Sequence, residues 1–265
     1  MRANIHVKVR RLLITLCVLL PPAGAAHAGE EGERLIYRIS YGNVPLAEAR
    51  ISLIERDGRY EVSGEGATAG PLEWLIDWRG SARTVGMTAG EALVPQLHAQ
   101  KGAWNGKHRQ AEVRYGPDSK IEHIVDPPAD PAEFTSVPAG SIPGTLDPLT
   151  AALSALKRFA ATGRCEGTLP IFDGRRRYDM QLEDAGTALL ERDRPWNYAG
   201  QARGCRLKSR RIGGFFKDSD YASDESETKR LVWLAETAPG TWRPVRIEID
   251  APIGKIIGRA VLAEN

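Results

Sequence analysis

The sequence predicts a mainly β fold: a curved open sheet or incomplete β-barrel, as one sheet or two half-sheets, wrapped around one amphipathic α-helix, with one further short helix. Three observations carry this. Short runs of alternating apolar and polar residues recur along both halves of the chain. Asp-Gly and Asn-Gly pairs separate several of them, and such pairs accept the positive φ of tight hairpin turns. One stretch near the middle has a helical stripe with start and stop signals.

Residues 35–41 read as the first half-buried strand, with Leu35, Tyr37, Ile39 and Tyr41 on one face. Gly42–Pro45 turns the chain, and Ala47, Ala49, Ile51 and Leu53 face one way in the next strand. Asp57-Gly58 predicts a hairpin returning through 60–67, where Gly64 and Gly66 thin one face for a bulge or a close neighbour. Leu72, Leu75 and Ile76 share a helical face behind Pro71, so 71–77 is expected to be the short helix. Strands follow at 78–85 and 93–104. Asn105-Gly106 then pairs Trp104 with Lys107 and places His108 opposite Ala103 in a strand over 107–115, before a last strand at 120–125.

The stretch 126–145 holds Pro127, Pro128, Pro131, Pro138 and Pro143 and reads as an extended connector within one domain. Asp147 then has the character of an N-cap with Pro148 at the first helical position. Leu149, Leu153, Leu156 and Phe159 share one face of a helix over 147–161, and Gly163 stops it. The second half returns to strands at 168–172, 175–182, 188–191, 203–211, 229–236, 242–250 and 255–262. The first two are split by Asp173-Gly174, and an acidic loop is expected at 219–228.

Residues 1–28 read as a cleavable signal peptide. Lys8, Arg10 and Arg11 precede an apolar run over 12–20, too short to span a bilayer, and Ala26-His27-Ala28 is a small-x-small cleavage site. Bulky Leu16 before Cys17 argues against a lipoprotein. The expectation is one soluble domain over 29–265, located in the periplasm. Removing four basic residues and no acidic one leaves 32 basic against 34 acidic residues, a net charge of −2 in place of +2. That argues against a general nucleic-acid binder. Cleavage also leaves Cys165 and Cys205 as the only cysteines, which should pair in an oxidising compartment. No histidine sits at ligand spacing beside either one, so no zinc site is expected.

Several segments together resemble a bacterial envelope family known as DUF3108: Tyr37–Gly42 with Ala47-Glu48-Ala49, Trp78-Arg79-Gly80, Leu146–Leu149, and above all Cys165–Tyr178, with Tyr198-Ala199-Gly200 leading to Cys205. The resemblance covers nearly the whole mature chain. It implies an exported, mainly β protein, and it supplies no catalytic residue.

The residues point to little chemistry of their own. His98, His108 and His123 fall on different strands without a third ligand and read as exposed or singly bonded, so neither metal nor cofactor is expected. No nucleophile elbow, zinc-protease helix or phosphate loop is present, and Asp173 is explained by its turn. Arg206, Lys208 and Arg210 share one strand face: either a solvated face or a contact for anionic head groups. Of six tryptophans, Trp78, Trp233 and Trp242 suit a core, while Trp74 and Trp104 are candidates for ligand contact. The leading expectation is a non-enzymatic envelope protein that holds a lipid-like or other apolar ligand inside a curved sheet. The alternatives are a scaffold docking on an envelope protein partner and, less favoured, an unrecognised hydrolase.

Overall fold

Two-residue turns with both residues at positive φ set the register of the first half. Asp57 and Gly58 (φ 51° and 71°) close Arg56 onto Arg59, and Asn105 and Gly106 (φ 45° and 78°) close Trp104 onto Lys107. Ala103 then falls opposite His108, as the sequence predicts. A computed structural model of the protein describes residues 32–217, 230–251 and 254–262. The signal-peptide reading of 1–28 and the loop reading of 219–228 lie outside the described residues.

Seven strands precede the helix: β1 (Glu33–Tyr41), β2 (Val44–Arg56), β3 (Arg59–Thr68), β4 (Trp78–Ala89), β5 (Ala92–Trp104), β6 (Lys107–Tyr115) and β7 (Ile121–Asp126). After α1 (Pro148–Thr162) come β8 (Gly167–Phe172), β9 (Arg177–Leu190), β10 (Gly200–Gly213), β11 (Arg230–Ala238), β12 (Thr241–Ala251) and β13 (Gly254–Val261). All belong to one 13-stranded sheet in the order β7-β6-β5-β4-β3-β2-β1-β13-β12-β11-β10-β9-β8. Two meanders meet where β1 pairs antiparallel with β13, Tyr37 opposite Ala260.

The sheet curls so that its inner face meets α1. Leu153 packs with Tyr60, Val62 and Leu93, and Phe159 with Leu182, Cys205 and Leu234. Full burial of each such side chain contributes roughly 1.5–3 kcal/mol. Trp242 meets Phe159 edge-on at 5.0 Å. Trp78 lies over β3, where a Cβ on Gly66 would come within 3.2 Å of its ring, which accounts for the thin face of that strand. Trp233 instead joins a cluster with Leu190, Ala202, Ala235 and Val245.

The strand order ends at β7 and β8, so the sheet is not closed there, and side-chain contacts span the gap. Leu146 adds to the edge of β8 as a parallel bridge to Ile171, its N–H donating to the Pro170 carbonyl (2.9 Å). A bridging residue of this kind shields an edge that would otherwise invite another strand. Across the gap the His123 ring meets Phe172 edge-on at 5.1 Å, and the Gln100 amide donates to the Asp173 carbonyl (2.8 Å).

Three local expectations change. The segment 71–77 forms a 3-10 turn over Gly70–Leu72 rather than a helix, and Leu75 is exposed. Seven residues with little apolar cover cannot offset the cost of helix nucleation. The Asp173-Gly174 hairpin has four loop residues: Phe172 pairs with Arg177, and the Asp173 carboxylate accepts from the Arg175 and Arg176 N–H groups. The runs 175–182 and 188–191 are one strand, β9, paired with β10 along its length through a bulge between Arg203 and Cys205.

Candidate functional site

The start of α1 is fixed by one buried carboxylate. Asp147, fully buried, caps the helix by accepting from the Leu149 and Thr150 N–H groups at 3.0 Å each. The same side chain also reaches the sheet. The Thr84 hydroxyl on β4 donates to its Oδ1 (2.7 Å), and the Thr150 hydroxyl donates to Oδ2 (2.5 Å). With both hydroxyl protons committed to Asp147, the two oxygens are left to accept. His98 Nδ1 on β5 lies 2.8 Å from Thr84 Oγ1, and the Tyr60 hydroxyl lies 2.8 Å from Thr150 Oγ1. Two short chains of hydrogen bonds therefore converge on one carboxylate.

Electrostatics follow from burial. Burial pushes the Asp147 carboxyl up, but bonding to His98, Thr150 and Thr84 outweighs it and holds the group below its ordinary value. Burial pushes the Tyr60 hydroxyl up to about 12, so it stays protonated and donates. The Tyr115 hydroxyl is also pushed up by burial and by Asp147.

Thr84, His98 and Asp147 are the residue types of a hydrolytic triad, but their arrangement is different. In a triad the acid and the nucleophile sit on opposite ring nitrogens. Here Asp147 Oδ1 (3.3 Å) and Thr84 both lie at Nδ1, and all three side chains are sealed at 0–1% exposure. The cluster holds α1 to β4 and β5 and presents no group to a substrate. Of the two readings of His98, exposed or singly bonded, this corrects the first: the ring is buried, its hydrogen bond is made at Nδ1, and Nε2 has no hydrogen-bond partner among the described residues. The ring is buried because the register shift opposite Val85 and Gly86 flips the alternation of β5: Leu93 and Pro95 are the buried positions before it, and His98 is buried after it.

Next to this anchor lies an apolar cavity of about 580 Å³. Its walls are the inner faces of β1 to β3 and β8 to β13 and one flank of α1, with Leu35, Ile39, Ile51, Met180, Leu207 and Ile247 among the lining. Small residues on opposing walls make the room: Ala49 on β2 and Gly258 on β13, Ala152 and Ala155 on α1. A smooth alanine flank looks like ordinary helix propensity in sequence, and only the fold shows that it faces a wall that is itself small. The Cys165–Cys205 disulfide, with Cα atoms 5.6 Å apart, forms part of the lining and ties the segment after α1 to β10.

The other singled-out residues lie elsewhere. Arg206, Lys208 and Arg210 are on the outer face of β10, opposite the cavity side. Arg206 and Lys208 face Glu183 (3.9 and 2.8 Å), and Arg210 faces Asp179 (2.5 Å). Trp74 and Trp104 are 83% and 54% exposed on adjacent turns, joined where the Asp77 N–H donates to Asn105 Oδ1 (2.9 Å), and neither lines the cavity.

No curated protein matches the chain. A crystal structure of a β-barrel-like protein of the domain of unknown function DUF1849 from Brucella abortus is similar, with a TM-score of 0.56 and 12% identity over 86% of this chain and 95% of that one. At that identity the likeness is one of fold. No helix among the described residues is long and apolar enough to cross a membrane. The profile of DUF3108, a protein of unknown function, matches residues 36–261, from β1 to β13, and the chain belongs to that family.

Proposed function

We propose that this protein is a non-enzymatic periplasmic carrier or receptor that holds a lipid-like apolar ligand between α1 and the inner face of the sheet. The cavity of about 580 Å³ carries this reading. Packing gaps in protein interiors are few and small, whereas ligand pockets measure roughly 300–1,000 Å³ and are mainly apolar. The anchor at Asp147 supports it, because it holds α1 in place from one end while the cavity flank carries small side chains. The exported setting is supported by the signal-like residues 1–28 and by the disulfide.

The test uses purified, delipidated protein and the neutral fluorescent probe N-phenyl-1-naphthylamine. Saturable binding of one probe per chain is expected. Ala152→Phe, which fills the cavity from an alanine with exposed surface, should abolish it without lowering the unfolding temperature. Probe binding that is absent, or unchanged by Ala152→Phe, would sink the proposal. A second reading, docking on an envelope protein partner, is favoured by the exposure of Trp74, Leu75 and Trp104. Photo-crosslinking from position 74 in cells distinguishes it: a discrete protein adduct supports docking, and none removes it.

A further inference from the structure

Among the described residues, only three of the cavity lining carry charge, and they lie at one end. Glu33 opens β1, while Arg158 and Arg164 flank the C-terminal end of α1. The far end, at Ile39, Ile249 and Ile256, is aliphatic. Ion pairs neutralise most of the charged rim. Glu33 is bonded to Arg243 (2.5 Å), Arg164 to Glu166 (3.0 Å), and neighbouring Lys157 to Glu55 (2.7 Å). Arg158 has no acidic partner among the described residues. Its guanidinium lies against Gly167, where a Cβ would come within 3.2 Å of Nη1, and where φ is +105°. A side chain at 167 would crowd that position, so glycine there lets the cation lie flat against the chain at the cavity mouth.

We propose that the ligand is a single-chain amphiphile with an anionic head group, bound with its head on Arg158 and its chain in the cavity. The inference rests on the apolar-cavity reading and adds the class of ligand. A guanidinium meets a carboxylate or a phosphate through paired N–H donors, which an ammonium cannot do. The rim then supplies one net positive charge and the interior supplies the apolar wall, the two features that such a molecule matches. An arginine on an exposed helix face can also be explained by solvation alone. On that account the head-group charge has no effect on binding.

The experiment displaces the neutral probe from the full, delipidated protein at neutral pH with three ligands of equal chain length: palmitate, hexadecyl phosphate and hexadecanol. At least one anion should displace the probe at a concentration lower than hexadecanol by about tenfold or more, the scale of a charge-assisted hydrogen bond. Either order of the two anions supports the site and identifies the head group as carboxylate or phosphate. Each methylene removed from the chain should weaken displacement about fourfold. Arg158→Ala and Arg158→Gln should bring the anions to the level of hexadecanol while leaving hexadecanol unchanged. Equal displacement by all three ligands in the wild-type protein would overturn the anionic head group and leave the apolar cavity standing. Retained anion preference in both variants would overturn the assignment to Arg158. Failure of the probe itself to bind would remove the cavity reading and this inference with it.

Discussion

Replacing Asp147 by alanine should be among the most destabilising single changes in the protein. The carboxylate is fully buried and accepts from two backbone N–H groups and two hydroxyls. Loss of a helix N-cap costs about 1 kcal/mol. Thr84 and Thr150 would each lose a charged acceptor in a dry site, at about 1.5 kcal/mol apiece. The sum is about 4 kcal/mol, against a total stability of roughly 5–15 kcal/mol for an ordinary domain. Asp147→Asn keeps the volume and one acceptor oxygen, and should cost about half as much. Urea unfolding followed by tryptophan fluorescence measures both, since Trp242 stands against Phe159 in the core.

The pH dependence has a definite sign. Asp147 lies below its ordinary value of 3.8 in the folded protein, so its contribution is complete above that value and is lost as the pH falls through the lower, folded value. Asp179, Asp193 and Glu248 are lowered too and add to the same acid limb. The diagnostic is therefore the difference between proteins: Asp147→Asn should lose stability less steeply than wild type below about pH 4. An Asp147→Ala protein within about 1 kcal/mol of wild type would refute the anchoring argument.

Cys205→Ser should lower stability by about 4 kcal/mol on the loop-entropy estimate for residues 40 apart, checked by the same unfolding curves with and without reductant. Thiol labelling of the denatured, unreduced protein should leave Cys165 and Cys205 unmodified. Gly86→Ala should cost about 1–3 kcal/mol by overpacking, because the new Cβ would stand 2.4 Å from the Val94 carbonyl oxygen and 2.5 Å from the Tyr60 ring. A melting temperature equal to that of wild type would contradict this contact.

Local rules reach far into this sequence where one segment dictates its own geometry. Asn105-Gly106 fixes which residues face each other across β5 and β6, and Asp147, Pro148 and Gly163 mark the ends of α1 within a residue. The same rules fail where a residue has a second role across the fold. Asp147 is legible as a cap, but its bond to Thr84 exists only because α1 begins against the middle of β4. His98 sits at an unremarkable position of an alternating run, and nothing nearby in sequence signals its partners. The cavity is hidden for a similar reason. Ala152 and Gly258 are more than a hundred residues apart, and each alone has a local explanation. Trp74 and Trp104 stand out by residue type, yet type does not say which wall a side chain joins.

The meeting of β1 with β13 has a consequence for how the chain folds. Ile36 pairs with Val261 across a separation of more than two hundred residues, while every other pairing of neighbouring strands joins segments adjacent along the chain. That one seam dominates the cost of closing loops, and such non-local pairings slow folding. The start of β1 and the end of β13 lie side by side at this seam. A circular permutant that links residue 262 to residue 32 through a short linker, and opens the chain in the connector between β7 and α1, would turn the seam into a hairpin. It should refold faster than the parent with the same strand order, its new ends lying at the two edges of the sheet.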